Sequence, residues 1–227
     1  MDYTLNHVLV GILQYINFNK ETMTMLNKKK ILTKTSKMPC KSISLSAWLC
    51  RNGEKLSKVK GSVCNGCYAR KGFYHMPNVK AKQSLTLEFM QSKEFITVMV
   101  ELLQKEKFFR WFDSGDIQDL DMANNILDIC EQTPHCKHWI PTKEYKDWKT
   151  VLKSRSLPSN VALRFSTPMD DTPPLENAPL TTTSFTTMGS LGMRGFICEA
   201  SQKDKYECGD CRACWDTNIN NVAYAKH

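Results

Sequence analysis

Apolar residues recur at helical spacing from Leu5 through Val8, Leu9, Ile12, Leu13 and Ile16, which predicts an opening helix within Asp2 to Phe18. The stretch from Asn19 to Ser36 is lysine-rich and unpatterned, a basic arm or a short surface helix. Ser42-Ile-Ser-Leu-Ser then alternates polar and apolar positions, as a short strand does, and Cys50 follows it. Arg51 to Ser62, rich in Gly, Lys and Ser, reads as a loop. From Asn78 to about Glu106 the pattern is helical in two pieces, broken near Gln91-Ser92. Ser92 is the expected cap of the second piece, whose apolar face is Phe95, Val98, Met99 and Leu102. Phe108 to Asp116 reads as a strand running into a tight polar turn, and Asp119 to Glu131 as an amphipathic helix. His138 to Glu144 is a strand, Asp147 to Ser154 a short helix, and Asn160 to Ser166 a further strand. Thr181 to Thr187 and Phe196-Ile197 supply two more short strands, and the four prolines between Pro168 and Pro179 mark a loop.

Strands alternating with helices predict a parallel α/β sheet. Polar residues gather just after each strand: Asp113, Ser114 and Asp116, then Thr142, Lys143 and Glu144, then Arg164 and Ser166. That carboxyl edge is where α/β folds bind ligands. A strand count of about five to six is short of a closed barrel. The expectation is α/β: a partial or open (β/α) barrel of about five to six mostly parallel strands, with a cysteine-rich loop and C-terminal tail. Two regions result, an N-terminal helix and basic arm over 1–37 and an α/β domain over 38–227.

Composition changes this picture in two ways. A net charge of +8 across 227 residues makes an anionic partner, DNA or RNA above all, a reasonable expectation beside a merely solvated basic face. Ten cysteines are the second feature. Met1 to Asn17 has no basic start or small-residue cleavage pattern, and no run approaches the ~18 apolar residues of a membrane span. The expected setting is therefore a reducing cytoplasm, where clustered thiols bind metal or do redox work rather than form disulfides.

Two clusters stand out. Cys64 and Cys67 form a C-x2-C in Gly61-Ser-Val-Cys-Asn-Gly-Cys-Tyr-Ala-Arg-Lys-Gly72, with Cys50 upstream. That spacing serves zinc, an iron–sulfur cluster or dithiol redox chemistry, and His75 is available to complete a zinc site. At the far end Cys208, Cys211 and Cys214 repeat as C-x2-C-x2-C, with Cys198 before them. The triple spacing matches cubane ligand runs better than the two separated pairs usual for zinc. Seven cysteines are therefore candidate ligands for one or two [4Fe-4S] clusters, divided three and four. Cys198 is also free to join the first three instead. Cys130 lies on the apolar face of a helix and belongs to the core. Cys136 fits a strand entry, and Cys40 is unassigned.

The Cys64–Cys67 element, Phe109-Arg-Trp-Phe-Asp-Ser-Gly-Asp116, His138-Trp-Ile-Pro-Thr-Lys-Glu144 and the tail ending Cys214-Trp215 together resemble a phage-encoded family, the gene product 88 family. The likeness runs over roughly Lys41 to Trp215. More distantly, Cys-Tyr-Ala and the strand ends resemble a phage family grouped with radical S-adenosylmethionine enzymes. That resemblance implies that Cys50, Cys64 and Cys67 bind three irons of a cluster whose fourth iron takes S-adenosylmethionine. Ser114, Gly115, Asp116, Lys143 and Arg164 would then contact that cofactor, with Glu144 and Ser166 at the same mouth. The four-cysteine tail would hold an auxiliary cluster, and the protein would work in a bacterial host cytoplasm. One departure is plain: thirteen residues separate Cys50 from Cys64, where the enzyme family has three. Asp113, Ser114 and Asp116 also suit a helix cap and first-turn acids, and Arg164 suits an ion pair with Glu144. The expected functions are a radical-type enzyme acting on nucleic acid or nucleotides, a non-catalytic iron–sulfur nucleic-acid binder, or a zinc-stapled scaffold. No P-loop or dinucleotide fingerprint is present, nor a Ser-His-Asp motif.

Overall fold

The computed structural model describes residues 30–187, 195–201 and 207–226. The helix expected over Asp2 to Phe18 lies outside the described residues.

The described strands are β1 (Thr33–Lys34), β2 (Lys41–Ser44), β3 (Phe108–Ser114), β4 (Lys137–Thr142), β5 (Val161–Ser166), β6 (Leu180–Phe185), β7 (Phe196–Ile197) and β8 (Asn221–Ala225). They form one open sheet in the order β1-β2-β3-β4-β5-β6-β8-β7. Only the β1/β2 pairing is antiparallel. Six of these strands coincide with segments whose patterning predicts them. β1 and β8 are additional: β8 is a five-residue run that pairs with β6 on one side and β7 on the other. β1, with the fully buried Ile31 before it, extends the sheet into the segment expected to be an arm.

From β2 to β6 each strand lies beside the next in sequence. Right-handed crossovers that always step the same way put their helices on one face of the sheet. The described α-helices are α1 (Arg51–Ser57), α2 (Pro77–Met90), α3 (Phe95–Leu103), α4 (Leu120–Gln132) and α5 (Tyr145–Val151). The main core lies between this helical layer and the sheet, joining Phe89, Phe95 and Met99 to Phe109, Trp111, Ile140 and Leu163. The opposite face carries a separate cluster of Cys40, Trp139, Cys214 and Trp215.

Two local expectations are corrected. Arg51 to Ser57 is helix α1 rather than loop. Gly53 masks its helical character, and the capping group comes from outside: Glu144 Oε1 accepts from the Asn52 amide at 2.9 Å. Ser92 does not cap α3, because its hydroxyl donates back to Phe89 O at 2.8 Å and Glu94 holds the cap position.

His138 on β4 is fully buried in the helical layer. Its Nδ1 accepts from Trp111 Nε1–H at 3.2 Å, since an indole can only donate. Thr133 spends its hydroxyl proton on Ile129 O, so its oxygen accepts from His138 Nε2–H at 2.9 Å. The ring is therefore held neutral, and burial pushes its pKa down from 6.5 to about 4. The unfolded chain takes up this proton near 6.5 and the folded chain only near 4. Stability owed to neutral His138 is complete above that upper value and is lost as pH falls between the two, by about 3 kcal/mol. Asp116, raised by burial to about 6, acts in the opposite sense over nearly the same range. The test is therefore a difference. The stability advantage of the native chain over His138→Gln, from urea unfolding, should shrink by about 3 kcal/mol between pH 7 and pH 4. A constant advantage would mean that His138 titrates normally.

Candidate metal centres

The first cysteine group sits at the carboxyl edge of β2–β4. Cys50 ends the 3-10 turn Ala47–Leu49 and occupies the N-cap of α1 without a side-chain capping bond, which leaves its thiol uncommitted to the helix. A Cβ on Gly53 would lie 2.8 Å from Cys50 Cβ, 3.6 Å from Cys50 Sγ and 3.8 Å from Cys64 Sγ. Glycine at this position lets the two thiols approach one point. The Cys64–Cys67 turn turns through Gly66 at φ +85° and is tied down from several sides. Val63 N donates to Pro168 O at 3.0 Å, Asn65 Nδ2 to Ser57 O at 3.0 Å, and Cys67 N to Cys64 O at 3.2 Å. Arg70 braces the turn against Ala47 O, the Ser57 hydroxyl and the Glu54 carboxylate.

Burial pushes the Cys50 thiol up to about 12, and Asp116, Cys67 and Cys64 add to that rise while Lys143 opposes it. Burial also raises Cys64, and Lys143 is the leading counterweight. Lys143 and Asp116 therefore lie within electrostatic reach of these thiols. Asp116 is held by three donors: Ile117 N at 2.9 Å, Thr142 Oγ at 2.8 Å and Lys143 N at 2.8 Å. It does not cap α4. Asp119 does so by accepting from Met122 N at 2.7 Å.

Strand β3 is irregular where it reaches this edge. Its register against β2 advances four residues, Arg110 to Ser114, while β2 advances two, and Phe112 sits at φ 62°. A buried aromatic in the left-handed region costs on the order of 1 kcal/mol and marks a position the surroundings over-determine. The bulge sends Trp111 and Phe112 both into the core. It presents Asp113 to Ser42 Oγ at 2.9 Å and to the Tyr74 hydroxyl at 3.2 Å. Ser114 closes back onto β2, its hydroxyl donating to Leu45 O at 2.7 Å. The close approach that Gly115 permits is likewise to Leu45.

The second group lies at the far side of the sheet's other face. Cys198 follows β7 and its amide donates to Ala223 O at 2.8 Å. Cys208 N donates to Lys37 O at 2.9 Å, Cys211 N to Cys208 O at 3.0 Å, and Cys214 lies in the 3-10 turn Ala213–Trp215. All four cysteines line one cavity of about 90 Å³, together with Trp215 and Val222. Burial pushes the Cys214 thiol up to about 12, against a 3.1 Å contact with the Tyr224 hydroxyl that favours the thiolate. Cys198 thus joins the tail rather than the first group. Cys40 packs against Cys214 and Trp215 in the same cluster, a neighbour that no local spacing foretells.

Arg164 is placed differently from the sequence reading. It is fully buried and turned away from the first group. Its guanidinium donates to five carbonyls: Asp216 at 2.7 Å, Ile219 at 2.8 Å, Cys214 at 3.0 Å, Ala213 at 3.1 Å and Thr181 at 3.3 Å. It therefore shapes the tail. Nor does it pair with Glu144, whose carboxylate serves Asn52 and Arg51. Ser166 Oγ accepts from Thr182 Oγ1 at 2.8 Å.

Among the described residues no three His, Cys, Asp or Glu side chains are grouped to hold a single ion. The thiolates of a cubane bind separate irons and stand farther apart than those around one zinc. Among the described residues no helix is long and apolar enough to cross a membrane. A family model described as Gene product 88 matches residues 16–217. No curated protein and no solved structure matches the chain.

Proposed function

We propose that this chain, which belongs to the Gene product 88 family, is an iron–sulfur protein with two sites of different character. The observation that carries the reading is that Cys198, Cys208, Cys211 and Cys214 line one cavity. Four thiolates complete the ligand set of a cubane, so this site is closed and structural. Its backbone is clamped by Arg164, and the buried Trp215 forms part of its lining.

The first group has a different donor set. Cys50, Cys64 and Cys67 supply three thiols, which leaves one iron of a [4Fe-4S] cluster without a protein ligand. Beside them Lys143 offers an ammonium and Asp116 a carboxylate, the pair of charges that suits a small zwitterion such as S-adenosylmethionine. A cluster in that place supplies one-electron chemistry. The chain's own part is to gather the thiols through Gly53, fix Asp116 through Thr142 and the Lys143 amide, and surround the site with the α1 and Cys64–Cys67 segments. A sheet whose strands step in one direction with helices on one face is compatible with an open (β/α) half-barrel. The favoured activity is therefore a radical-type enzyme of a phage, acting on nucleic acid or nucleotides in the reducing cytoplasm of its host. The second reading is a non-catalytic protein whose metals staple the fold, zinc included. The Arg164 clamp favours a stapling role for the tail in either case.

Anaerobic purification with iron, sulfide and zinc counted per chain tests this. About eight irons and eight sulfides are expected, falling to about four in Cys67→Ser and about four in Cys211→Ser. S-adenosylmethionine should bind the native chain in equilibrium dialysis and bind weakly to Cys67→Ser, while Cys211→Ser retains it. Zinc without sulfide would remove the cluster reading.

A further inference from the structure

The surface around the first cysteine group has a composition that the metal site does not explain. Six of the eight large apolar side chains exposed among the described residues fall between Trp48 and Met76: Trp48, Leu49, Val59, Tyr68, Phe73 and Met76. Phe73 is 80% exposed and Tyr68 50%. A few exposed apolar side chains are ordinary on any surface, but their concentration in one short segment is not.

Trp48, Leu49, Tyr68 and Phe73 lie on three turns that are bonded to one another. The turn Ala47–Leu49 is joined to the turn Tyr68–Arg70 through Arg70, whose Nη2 donates to Ala47 O at 3.2 Å. The next turn, Gly72–His75, folds back so that His75 Nε2 meets Arg70 O at 2.7 Å and the His75 ring meets Trp48 edge-on at 5.0 Å. Lys80 Nζ lies 4.9 Å over the Trp48 ring. Lys55, Lys58, Lys60 and Lys71 are exposed around the same turns. Lys58 is paired with Glu54, but among the described residues Lys55, Lys60 and Lys71 have no acidic partner.

We propose that this collar binds a single-stranded nucleic acid. Unpaired lysines supply the cations that a phosphate backbone recruits, and exposed aromatic rings supply faces on which unstacked bases lie. A duplex would satisfy the lysines but keep its bases stacked on one another, leaving the Phe73 ring without a base to stack on. Leu49 directly precedes Cys50 and Tyr68 directly follows Cys67, so a strand held there passes beside the first cysteine group. The inference goes beyond the metal reading and stands on different residues.

The test is fluorescence anisotropy of the full chain with labelled 20-nucleotide strands of deoxythymidine and of uridine, and with a duplex of the same length. Single strands should bind more tightly than the duplex, with a slope of log K against log salt of about −2 for three lysine contacts. Phe73→Ala should weaken binding about tenfold, and the Lys55→Gln, Lys60→Gln, Lys71→Gln triple variant should reduce the slope by about two. A difference between the two strands would identify the preferred sugar. Because Phe73 is so exposed, its removal should leave circular dichroism and metal content unchanged. Equal binding of strand and duplex, or full affinity in Phe73→Ala, would overturn the proposal and leave only nonspecific attraction to a basic chain. Binding to phosphatidylserine vesicles without binding to strands would overturn it in favour of a membrane surface. Strand binding by a preparation with no iron would uphold it while removing the cluster reading.

Discussion

Replacing Arg164 with methionine is expected to lower the unfolding free energy by roughly 3–5 kcal/mol and to empty the C-terminal cysteine site of metal while sparing the first. Five carbonyls, four of them between Ala213 and Ile219, converge on one fully buried guanidinium. Those oxygens belong to a segment with little regular structure, so no ladder or helix would take over their hydrogen bonds. Among the described residues the guanidinium has no carboxylate in contact, and burial lowers its pKa, with Tyr224, Cys214 and Asp216 opposing that shift. Its charge is thus stabilised mainly by dipoles. Methionine matches much of the volume, so the loss measures hydrogen bonds rather than a cavity. Lysine keeps the charge but has three donors where arginine has five, and should recover only part of the stability. Urea unfolding of the three proteins, with metal counted in each, checks this. A methionine variant within about 1 kcal/mol of the native chain and with a full metal complement would show that the tail is held by other means.

Gly115→Ala is expected to cost roughly 2–4 kcal/mol and to reduce metal in the first site. Gly115 lies at φ +87°, and a Cβ there would come within 2.5 Å of Leu45 Cβ and 3.0 Å of Leu45 C and O. The neighbour is partly backbone, pinned by Leu45 N to Ser114 O at 2.8 Å and by Ser114 Oγ to Leu45 O at 2.7 Å, so it has little room to yield. Relief requires β2 and β3 to part at their carboxyl ends. Leu45 leads directly into the turn that carries Cys50, and that displacement should reach the thiols. Gly72 provides the internal comparison, because it also has positive φ, +53°, but nothing within 4 Å. Gly72→Ala should cost only its backbone strain, about 1 kcal/mol. Thermal unfolding and metal content of the two alanine variants separate steric contact from strain, and equal effects would refute the contact argument.

Much of the architecture is legible locally. The aromatic and branched runs at Phe108, His138 and Asn160 become β3, β4 and β5, and the apolar stripe broken near Gln91 becomes α2 and α3. Side-chain periodicity is set by the backbone of each element, so neighbouring residues are enough to read it. The spacing of Cys64 with Cys67, and of Cys208, Cys211 and Cys214, is local in the same sense, because each set shares a turn. Only the tertiary structure decided which distant residues join them. It drew Cys198 and Cys40 to the tail, where four cysteines share a cavity. It turned Glu144 into the cap of α1 and sent Arg164 to the tail carbonyls instead of the ligand-facing edge. It also set β8 between β6 and β7, against their order in the chain. The physical reason is common to all of these. A polar or charged side chain takes whichever partner the crossovers of a parallel sheet bring within reach, and that partner lies tens of residues away.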